Sequence, residues 1–351
     1  SGGGYGSYSS WGGDYGGLAL GDVNHDGTPD VITAGLSMVC ALDGSTGSQL
    51  WCTSGLSGSM DPNGFNYPAI ADMNADGQAE VTVGSAIMDG ASGALIGRGS
   101  YGIGAAPYYT EAGTYGANSV PIDLDGDGQL ELVTGNAAYD ITGSAIWTNG
   151  GRDGLVAIAD FDGDGQGEIV KTSGAYVTGM DTDGTELWEV SYAGGAYLAI
   201  GTPAIDDLDG DGDPEIVMAV QNDLVAMEWG GSVIWTAGIS DYTGAAGPSL
   251  FDFEMDGYPE VLYQDEGTIR FFSGLDGSVK YTSSAHSSVT ILETPIVADV
   301  DGDDQVEIVV SHCGSAHQGV TVFGDADGTW PPGRKIWNQH GYSITNVEEN
   351  G

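Results

Sequence analysis

The chain has 351 residues, including 61 glycines, 51 acidic residues and only 7 lysines and arginines, and its formal net charge is −44. So few basic residues exclude a protein that binds nucleic acid or an anionic membrane surface through positive charge. No apolar run approaches the roughly 20 residues of a membrane-spanning helix, and the many glycines are typical of short strands joined by tight turns.

The chain begins with an arm rich in glycine, serine and tyrosine, residues 1–17 (SGGGYGSYSSWGGDYGG). No packing pattern explains this composition, so the arm is a linker, a tail or a strand lent to something else. It could pair with an open sheet edge of a neighbouring molecule, because strand addition satisfies backbone hydrogen bonds at little sequence cost. Such head-to-tail contacts produce filaments. The alternative is an arm that folds back as the outer strand of the seventh blade or lies disordered.

A nine-residue acidic loop then recurs seven times, and we number the copies loops 1 to 7: 22–30, 72–80, 123–131, 160–168, 207–215, 252–260 and 299–307. Loop 3, DLDGDGQLE, has carboxylates at positions 1, 3, 5 and 9 and a glycine at position 6. This pattern gathers oxygen ligands around one point, as Ca²⁺ requires, and the glycine enters positive φ without steric cost. The loops start 37 to 51 residues apart, a spacing that indicates a repeat architecture.

The predicted ligands of up to seven calcium ions occupy positions 1, 3, 5, 7 and 9, with position 7 contributing its carbonyl oxygen. These positions hold 27 of the 51 acidic residues, which accounts for much of the charge. The residues are Asp22, Asn24, Asp26, Thr28, Asp30, Asp72, Asn74, Asp76, Gln78, Glu80, Asp123, Asp125, Asp127, Gln129, Glu131, Asp160, Asp162, Asp164, Gln166, Glu168, Asp207, Asp209, Asp211, Asp213, Glu215, Asp252, Glu254, Asp256, Tyr258, Glu260, Asp299, Asp301, Asp303, Gln305 and Glu307.

Two loops depart from this pattern. Loop 6 has the longer Glu254 at position 3, and loop 7 has Asp304 where the other loops have the position-6 glycine. Asp304 must adopt a positive φ at an energetic cost or tilt the loop. We therefore expect loops 6 and 7 to lose calcium first.

Each acidic loop joins two short apolar strands, and a second hairpin follows it. Four antiparallel strands repeated seven times predict an all-β, seven-bladed β-propeller with a calcium-binding loop in each blade. A linear solenoid is the competing arrangement, but its end units would be atypical, whereas the first and last units here are regular. In six of the seven units the last strand ends in an aromatic residue, predicted to pack between blades: Trp51, Trp147, Trp188, Trp235, Tyr281 and Trp337.

Several features predict a secreted protein, extracellular or on the cell surface. Extracellular calcium modules bind the ion at about 10⁻⁴ to 10⁻³ M, a level found outside cells. Cys40 and Cys52 flank the turn DGSTG symmetrically and could form a disulfide, which would leave Cys313 unpaired. The chain begins at Ser1 without an apolar leader, so we expect any signal peptide to have been removed. The lack of an N-glycosylation sequon favours a bacterial source.

Two long connections, residues 53–67 and 97–119, carry aromatic residues among glycines and serines. This composition is typical of recognition loops, because rigid aromatic rings are combined with adaptable hydrogen bonding. A plain surface connection is the alternative. The candidate ligand-binding residues are Tyr101, Tyr108, Tyr109 and Tyr115.

An enzymatic function has less support in the sequence. The five histidines are scattered, and the basic residues are too few to form an anion-binding groove. No catalytic residue is therefore predicted. His312, Cys313 and His317 could offer three ligands to zinc, but adjacent strand residues point to opposite faces, so His312 and Cys313 would not converge on one ion.

The acidic loop after a short apolar strand resembles the FG-GAP or VCBS-type repeat of integrin α-chain propellers and secreted bacterial proteins. The resemblance covers residues 18–345, leaves a tail at 346–351, and recurs in all seven units. It implies calcium ions that stabilise a propeller.

We expect a non-catalytic, calcium-binding module for adhesion, recognition or surface assembly, with a protein or glycan ligand outside the cell or self-association through the arm. The alternative is a carbohydrate-active enzyme, either a polysaccharide lyase or a hydrolase, or a glycan-binding lectin.

Overall fold

The computed structural model describes residues 16–107, 114–192, 200–241, 243–288, 292–312, 319–334 and 339. These residues form the seven antiparallel blades of a seven-bladed β-propeller, which confirms the predicted fold class. The described parts contain no helix, and accordingly no helix long and apolar enough to cross a membrane is found in them. Residues 1–15 of the arm and the tail at 346–351 lie outside the described residues.

The first three blades have four strands each, and a two-stranded sheet lies between the second and third. Blade 1 comprises β1 (Leu18–Gly21), β2 (Asp30–Ala34), β3 (Met38–Leu42) and β4 (Gln49–Ser54). Blade 2 comprises β5 (Pro68–Ala71), β6 (Glu80–Val83), β7 (Ala86–Asp89) and β8 (Leu95–Arg98). The small sheet comprises β9 (Ala106–Pro107) and β10 (Thr114–Tyr115). Blade 3 comprises β11 (Val120–Ile122), β12 (Glu131–Val133), β13 (Ala137–Tyr139) and β14 (Ala145–Thr148).

The remaining four blades continue the same order along the chain. Blade 4 comprises β15 (Leu155–Ala159), β16 (Glu168–Ser173), β17 (Tyr176–Met180) and β18 (Glu186–Ser191). Blade 5 comprises β19 (Ala204–Asp206), β20 (Glu215–Val220), β21 (Asp223–Met227) and β22 (Val233–Gly238). Blade 6 comprises β23 (Ser249–Phe251), β24 (Glu260–Gln264), β25 (Ile269–Ser273) and β26 (Val279–Ser283). Blade 7 has three described strands, β27 (Ile296–Ala298), β28 (Glu307–His312) and β29 (Gly319–Phe323).

The strands of each blade run outward from the axis in chain order. The first strands of neighbouring blades contact one another, as β1 does with β5 and β19 with β23, so they line the centre of the ring. Second strands such as β16 and β20 are buried along their whole length because blades cover both faces. The fourth strands alternate or are largely exposed, which places them at the rim. Each acidic loop therefore joins the first and second strands of its blade.

Large aromatic residues fill the seams between blades, as predicted. The indole N–H groups of Trp51 and Trp235 donate to the carbonyls of Gly90 and Gly274 in the following blade, at 2.7 and 2.5 Å. Both indoles are less than a tenth exposed. A ring at this position combines apolar burial with one satisfied polar atom. Blades 3 and 4 place Trp147 and Trp188 in the corresponding seams, against Gly184 and Trp229 of the following blade, but the indole N–H groups of these two residues have no hydrogen-bond partner among the described residues.

Blade 6 lacks such a buried wedge. Tyr281 stands at the corresponding position but is 57% exposed, and its ring contacts Phe271 of its own blade. The seam to blade 7 is filled instead by Trp330, whose ring lies 5.0 Å from that of Phe253. The predicted wedge Trp337 lies outside the described residues.

A β-bulge interrupts the pairing of the third and fourth strands in all six four-stranded blades. In each case one residue of the fourth strand is left without a partner in the register. A bulge twists the strand locally and re-aims the unpaired side chain. The bulged residues are Leu50, Ile96, Ile146, Leu187, Ile234 and Lys280.

A disulfide joins Cys40 on β3 to Cys52 on β4, with the two Cα atoms 4.1 Å apart. The two residues are directly opposite each other in the register, as their symmetric placement about the turn predicts. The disulfide therefore links two strands that are already paired in the sheet by hydrogen bonds. Cys313 lies outside the described residues.

The close approach of Trp235 to Gly277 yields a stability prediction. An added Cβ at Gly277, where φ is +69°, would lie 2.6 Å from Cε3 of Trp235. We expect Gly277→Ala to lower the free energy of unfolding by about 3 kcal/mol, which combines about 1 to 2 kcal/mol for the left-handed backbone with a steric penalty of similar size. Urea denaturation followed by tryptophan fluorescence measures this loss.

Gly174 supplies the matched control, since its φ is +60° but nothing lies within 4 Å of its Cβ position. Gly174→Ala is expected to cost only the backbone term of about 1 to 2 kcal/mol. Equal losses in the two variants would show that the tryptophan wedge does not restrict the turn.

Candidate metal centres

Loop 3 shows the hydrogen-bonded frame shared by the acidic loops. At position 1, Asp123 accepts through Oδ2 the amide of Gly128, at 2.9 Å. At position 5, Asp127 accepts through Oδ1 the amide of Gln129, at 2.8 Å. The same two bonds recur in all seven loops at 2.8–3.2 Å. They curl the backbone around the carboxylates of positions 1, 3 and 5.

The carboxylate at position 9 ties each loop to its blade. In loop 3, Glu131 at the start of β12 accepts through Oε2 the amide of Leu124, at 2.9 Å. An equivalent bond to the position-2 amide is present in all seven loops, at 2.7–3.2 Å. These seven carboxylates are at most 8% exposed. The position-9 residue is therefore as much a structural residue as a candidate ligand.

The surroundings of the buried position-9 carboxylates disfavour their ionised form and raise their pKa values. The pKa of Glu80 is raised to about 6 and that of Glu215 to about 7, chiefly by burial and also by nearby carboxylates, while one backbone amide opposes the shift in each. Burial is also the main cause of the raised pKa of Glu131 and Glu168. A cation beside these groups would stabilise their ionised forms.

Four loops bring three carboxylates together, each offering an oxygen within 4.8 Å of the others. Such all-oxygen sets fit Ca²⁺, a hard cation that accepts six to eight oxygens in flexible geometry. When bound, the ion would neutralise the crowded carboxylates and hold the loop closed. The clusters are Asp123, Asp125 and Asp127; Asp160, Asp162 and Glu168; Asp207, Asp209 and Glu215; and Asp299, Asp301 and Asp303.

Loops 1 and 2 keep the frame with an amide at position 3. Asn24 and Asn74 each accept the amide of the position-5 aspartate through Oδ1, at 2.9 Å. Loop 1 also differs at position 9, where Asp30 accepts the amides of Val23 and Gly44 with its two oxygens, at 3.2 and 3.1 Å. Loop 1 therefore offers fewer uncommitted charged oxygens than loops 3 to 5.

The backbone adopts positive φ at two positions of each loop. Position 6 does so as predicted, and Asp304 of loop 7 takes φ +69° there although it is not a glycine. Position 4 does so as well, which the sequence reasoning missed. Three loops place a residue with a Cβ there, at a cost of about 1 to 2 kcal/mol each: His25, Ala75 and Met255, with φ between +54° and +60°.

Loop 6 departs from the shared frame. The Nζ atom of Lys280 lies 2.9 Å from Oε2 of Glu254 and also donates to Oε1 of Glu260. Two of the predicted ligands of this loop are thus ion-paired with a lysine of the same blade. The sequence motifs do not indicate a role for Lys280, although it is the one charged residue among the six bulged positions.

A cavity of about 500 Å³ adjoins this lysine between blades 6 and 7. Its walls include the rings of Phe271, Tyr281 and Trp330, and Lys280 lines it together with its two glutamates. Pockets that combine aromatic walls with a few convergent polar groups are the usual form of small-ligand sites.

The predicted recognition tyrosines have different positions in the structure. Tyr101 is 61% exposed and remains a candidate for ligand contact. Tyr115 is fully buried, and its O–H donates to the carbonyl of Ile200 at 2.9 Å. This part of the expectation is corrected, because the connection turns inward and Tyr115 packs in a cluster with Tyr67 and Leu292. Tyr108 and Tyr109 lie outside the described residues.

The histidine that was considered for zinc has a different neighbour. Nδ1 of His312 lies 3.0 Å from Nδ1 of His286, and its Nε2 lies 2.8 Å from the hydroxyl of Thr321. Cys313 and His317 lie outside the described residues.

Comparison with known proteins supports the repeat and the fold. Residues 207–263, which include loops 5 and 6, match the FG-GAP-like repeat family. No curated protein sequence matches the chain. The biofilm matrix protein Bap1 of V. cholerae has a similar structure with a TM-score of 0.59 and 17% identity, over 96% of this chain and 92% of Bap1.

Two enzymes also have similar structures. A rhamnogalacturonan lyase of Bacillus licheniformis has a TM-score of 0.50 and 16% identity, over 87% of this chain and 70% of the lyase. A europium-containing methanol dehydrogenase has a TM-score of 0.53 and 11% identity, over 87% of this chain and 73% of the dehydrogenase. At such low identity these similarities establish the propeller fold alone.

The raised pKa values of Glu80 and Glu215 predict how calcium and pH act together. A carboxyl group whose pKa rises from 4.5 to about 6 or 7 on folding destabilises the protein increasingly as the pH rises through that range. Protein stripped of calcium should therefore melt at a higher temperature at pH 5 than at pH 7.5. Added calcium should raise the melting temperature most at pH 7.5, because it binds the ionised carboxylates.

Glu215→Gln tests the assignment of this effect, because it removes the charge and keeps an oxygen to accept the Leu208 amide. Scanning calorimetry should show that the variant, when stripped, is less sensitive to pH and gains less from calcium than the wild type. A melting temperature that calcium removal leaves unchanged would contradict the role of the loops.

Proposed function

We propose that this seven-bladed propeller is a calcium-stabilised, non-catalytic module that acts outside the cell in adhesion, recognition or surface assembly. The observation that carries the proposal is the sevenfold recurrence of one loop frame, in which buried carboxylates are bonded to the backbone of their own blade. Because these carboxylates stabilise the fold, a calcium ion bound to them would have a structural role and not a catalytic one. Calcium bound at these loops rigidifies the blades and leaves the loop face and the cavity between blades 6 and 7 available for partners.

Two observations support an extracellular location. The Cys40–Cys52 disulfide requires an oxidising environment to persist. Modules outside the cell also bind calcium in the range of about 10⁻⁴ to 10⁻³ M, so the loops would remain loaded there and not in a cytosol. The biofilm matrix protein with the same fold is a precedent for such a location and role.

The chemistry of the described loops supports binding over catalysis. General acid–base catalysis needs a group that is free to exchange a proton with substrate. The position-9 carboxylates instead accept backbone amides in all seven loops, and Lys280 binds two glutamates. These groups are therefore committed to structure.

The N-terminal arm is the proposed route to self-association. The innermost described part of the arm is anchored to the propeller, since the amide of Gly17 donates to the carbonyl of Asn66 at 2.9 Å. Residues 1–15 would extend from this point to the outer edge of a neighbouring propeller and pair as a strand. Repeated contacts of this kind form an open filament.

Deleting residues 1–16 tests this assignment. The truncated chain should keep its circular dichroism spectrum and its calcium-dependent melting temperature, while the self-association of the full chain disappears in light scattering. Both proteins should fail to release soluble products from polysaccharides, including rhamnogalacturonan. Polysaccharide cleavage, or a full chain that stays monomeric at high concentration with calcium and binds no ligand on a glycan array, would contradict the proposal.

Glycan binding is a second candidate, favoured by the cavity between blades 6 and 7. Aromatic rings offer apolar faces to a sugar ring, and the glutamates and lysine beside them offer hydrogen bonds to hydroxyl groups. Tyr281 is the most exposed of the aromatic side chains named in its walls.

Tyr281→Ala should therefore reduce glycan affinity at least tenfold, the loss expected when about 1.4 kcal/mol of contact is removed. Titration with an oligosaccharide selected on a glycan array measures this effect. Tyr101→Ala is the comparison variant, because Tyr101 is the exposed candidate of the long connection and does not line the cavity. Loss of affinity in Tyr101→Ala alone would place the glycan at that connection. Equal losses in both variants would place the glycan elsewhere.

A further inference from the structure

Blade 6 departs from the other blades at two positions that meet in space. Position 3 of its loop is Glu254, whereas the other six loops have Asp or Asn there. Its bulged residue is Lys280, whereas the bulged residue of every other four-stranded blade is Leu or Ile. Because a bulge re-aims the side chain that it leaves unpaired, the two substitutions can act as a pair.

Lys280 binds the oxygens that would otherwise face a metal ion. Its Nζ atom lies 2.9 Å from Oε2 of Glu254 and donates to Oε1 of Glu260. Oε2 of Glu260 still accepts the amide of Phe253 at 3.0 Å, as in the other blades. In loops 4 and 5 the position-9 glutamate joins the carboxylates of positions 1 and 3, whereas in loop 6 its second oxygen belongs to the lysine.

Glu254 has also left the hydrogen-bonded frame of the loop. In the other six loops the position-3 side chain accepts the amide of position 5, at 2.9–3.2 Å. In loop 6 the amide of Asp256 donates to Asp252 at 3.1 Å. The extra methylene of Glu254 instead carries its carboxylate to Lys280. Loop 6 is also not among the loops whose described carboxylates converge on one point.

We propose that the ammonium group of Lys280 is the permanent cation of blade 6, so that loop 6 binds no calcium. This inference rests on the proposed function in one respect, namely that the other loops do bind the ion. A divalent ion in loop 6 would have to displace the lysine from both Glu254 and Glu260. Glu260 is 2% exposed, so its ion pair with the lysine is little screened by solvent and competes strongly with a metal ion. Blade 6, which forms one wall of the cavity, would then keep its loop closed when calcium is scarce.

Removing one ligand from each of two loops tests which of them binds calcium. Asp127→Asn and Asp256→Asn change the same position, in loops 3 and 6 respectively. Native mass spectrometry and equilibrium dialysis of the full chain should show one ion fewer in Asp127→Asn and an unchanged number in Asp256→Asn. Loss of one ion from Asp256→Asn would overturn the proposal for Lys280 while leaving the calcium-binding function intact.

A reciprocal exchange between blades 5 and 6 provides a second measurement. Lys280→Ile with Glu254→Asp gives blade 6 the residues of blade 5, and the number of bound calcium ions should rise by one. Ile234→Lys with Asp209→Glu gives blade 5 the residues of blade 6, and the number should fall by one. An unchanged number in both double variants, with folding verified by circular dichroism, would refute the exchange of lysine for metal.

The melting temperature of the calcium-free protein tests whether Lys280 stabilises blade 6 in place of a metal ion. After calcium is stripped, Lys280→Ile should melt below the wild type, because Glu260 loses its counter-charge, and Ile234→Ala should lose less. A stripped Lys280→Ile variant as stable as the wild type would overturn the proposed role of Lys280. A wild type that binds no calcium at all would refute the proposed function. It would also refute the proposal that loop 6 differs from loop 3 in using a lysine in place of calcium.

Discussion

The structure depends on a carboxylate placed at the first residue of the second strand in every blade. There it is buried against the sheet and accepts an amide from the loop that precedes it, so that loop and strand form one unit. Such a group is favourable only while its charge is balanced. The remaining loop carboxylates cannot provide that balance, because they carry the same sign and raise the pKa further. A cation beside such a carboxylate would provide that balance, and the seven loops offer oxygen ligands for one in different degrees.

Much of this arrangement follows from local sequence patterns. The sevenfold recurrence of the acidic loop predicts the blades, the spacing of Cys40 and Cys52 predicts a cross-strand pair, and the aromatic residues at the ends of the fourth strands predict the seams. Each of these features is determined by residues of one or two neighbouring hairpins. The burial of Tyr115 and the pairing of Lys280 with Glu254 and Glu260 depend on contacts between distant segments, so residue type alone could not reveal them. The positive φ of position 4 was missed because only some loops mark it with glycine.

The fold by itself leaves the function open, since a biofilm matrix protein, a lyase and a dehydrogenase have similar propellers. The charge of this chain is unevenly distributed. The loop positions hold 27 of the 51 acidic residues, and all of these loops lie on one face of the ring. Calcium would neutralise this face selectively, so contacts made there would respond to salt differently from contacts on the opposite face.

The inward connections have a consequence for how the chain acquires its structure. Tyr67, which precedes blade 2, shares one buried cluster with Leu292, which precedes blade 7, and the two are separated by more than half of the chain. Contacts between residues so far apart in sequence slow folding. The chain loses conformational entropy when the long loop closes, before the contact can stabilise the structure. The hairpins of the early blades can form as they are synthesised, but the centre of the ring stays incomplete until the last blade emerges. Until then the open sides of the first and last blades expose apolar surface and invite wrong pairing with other chains.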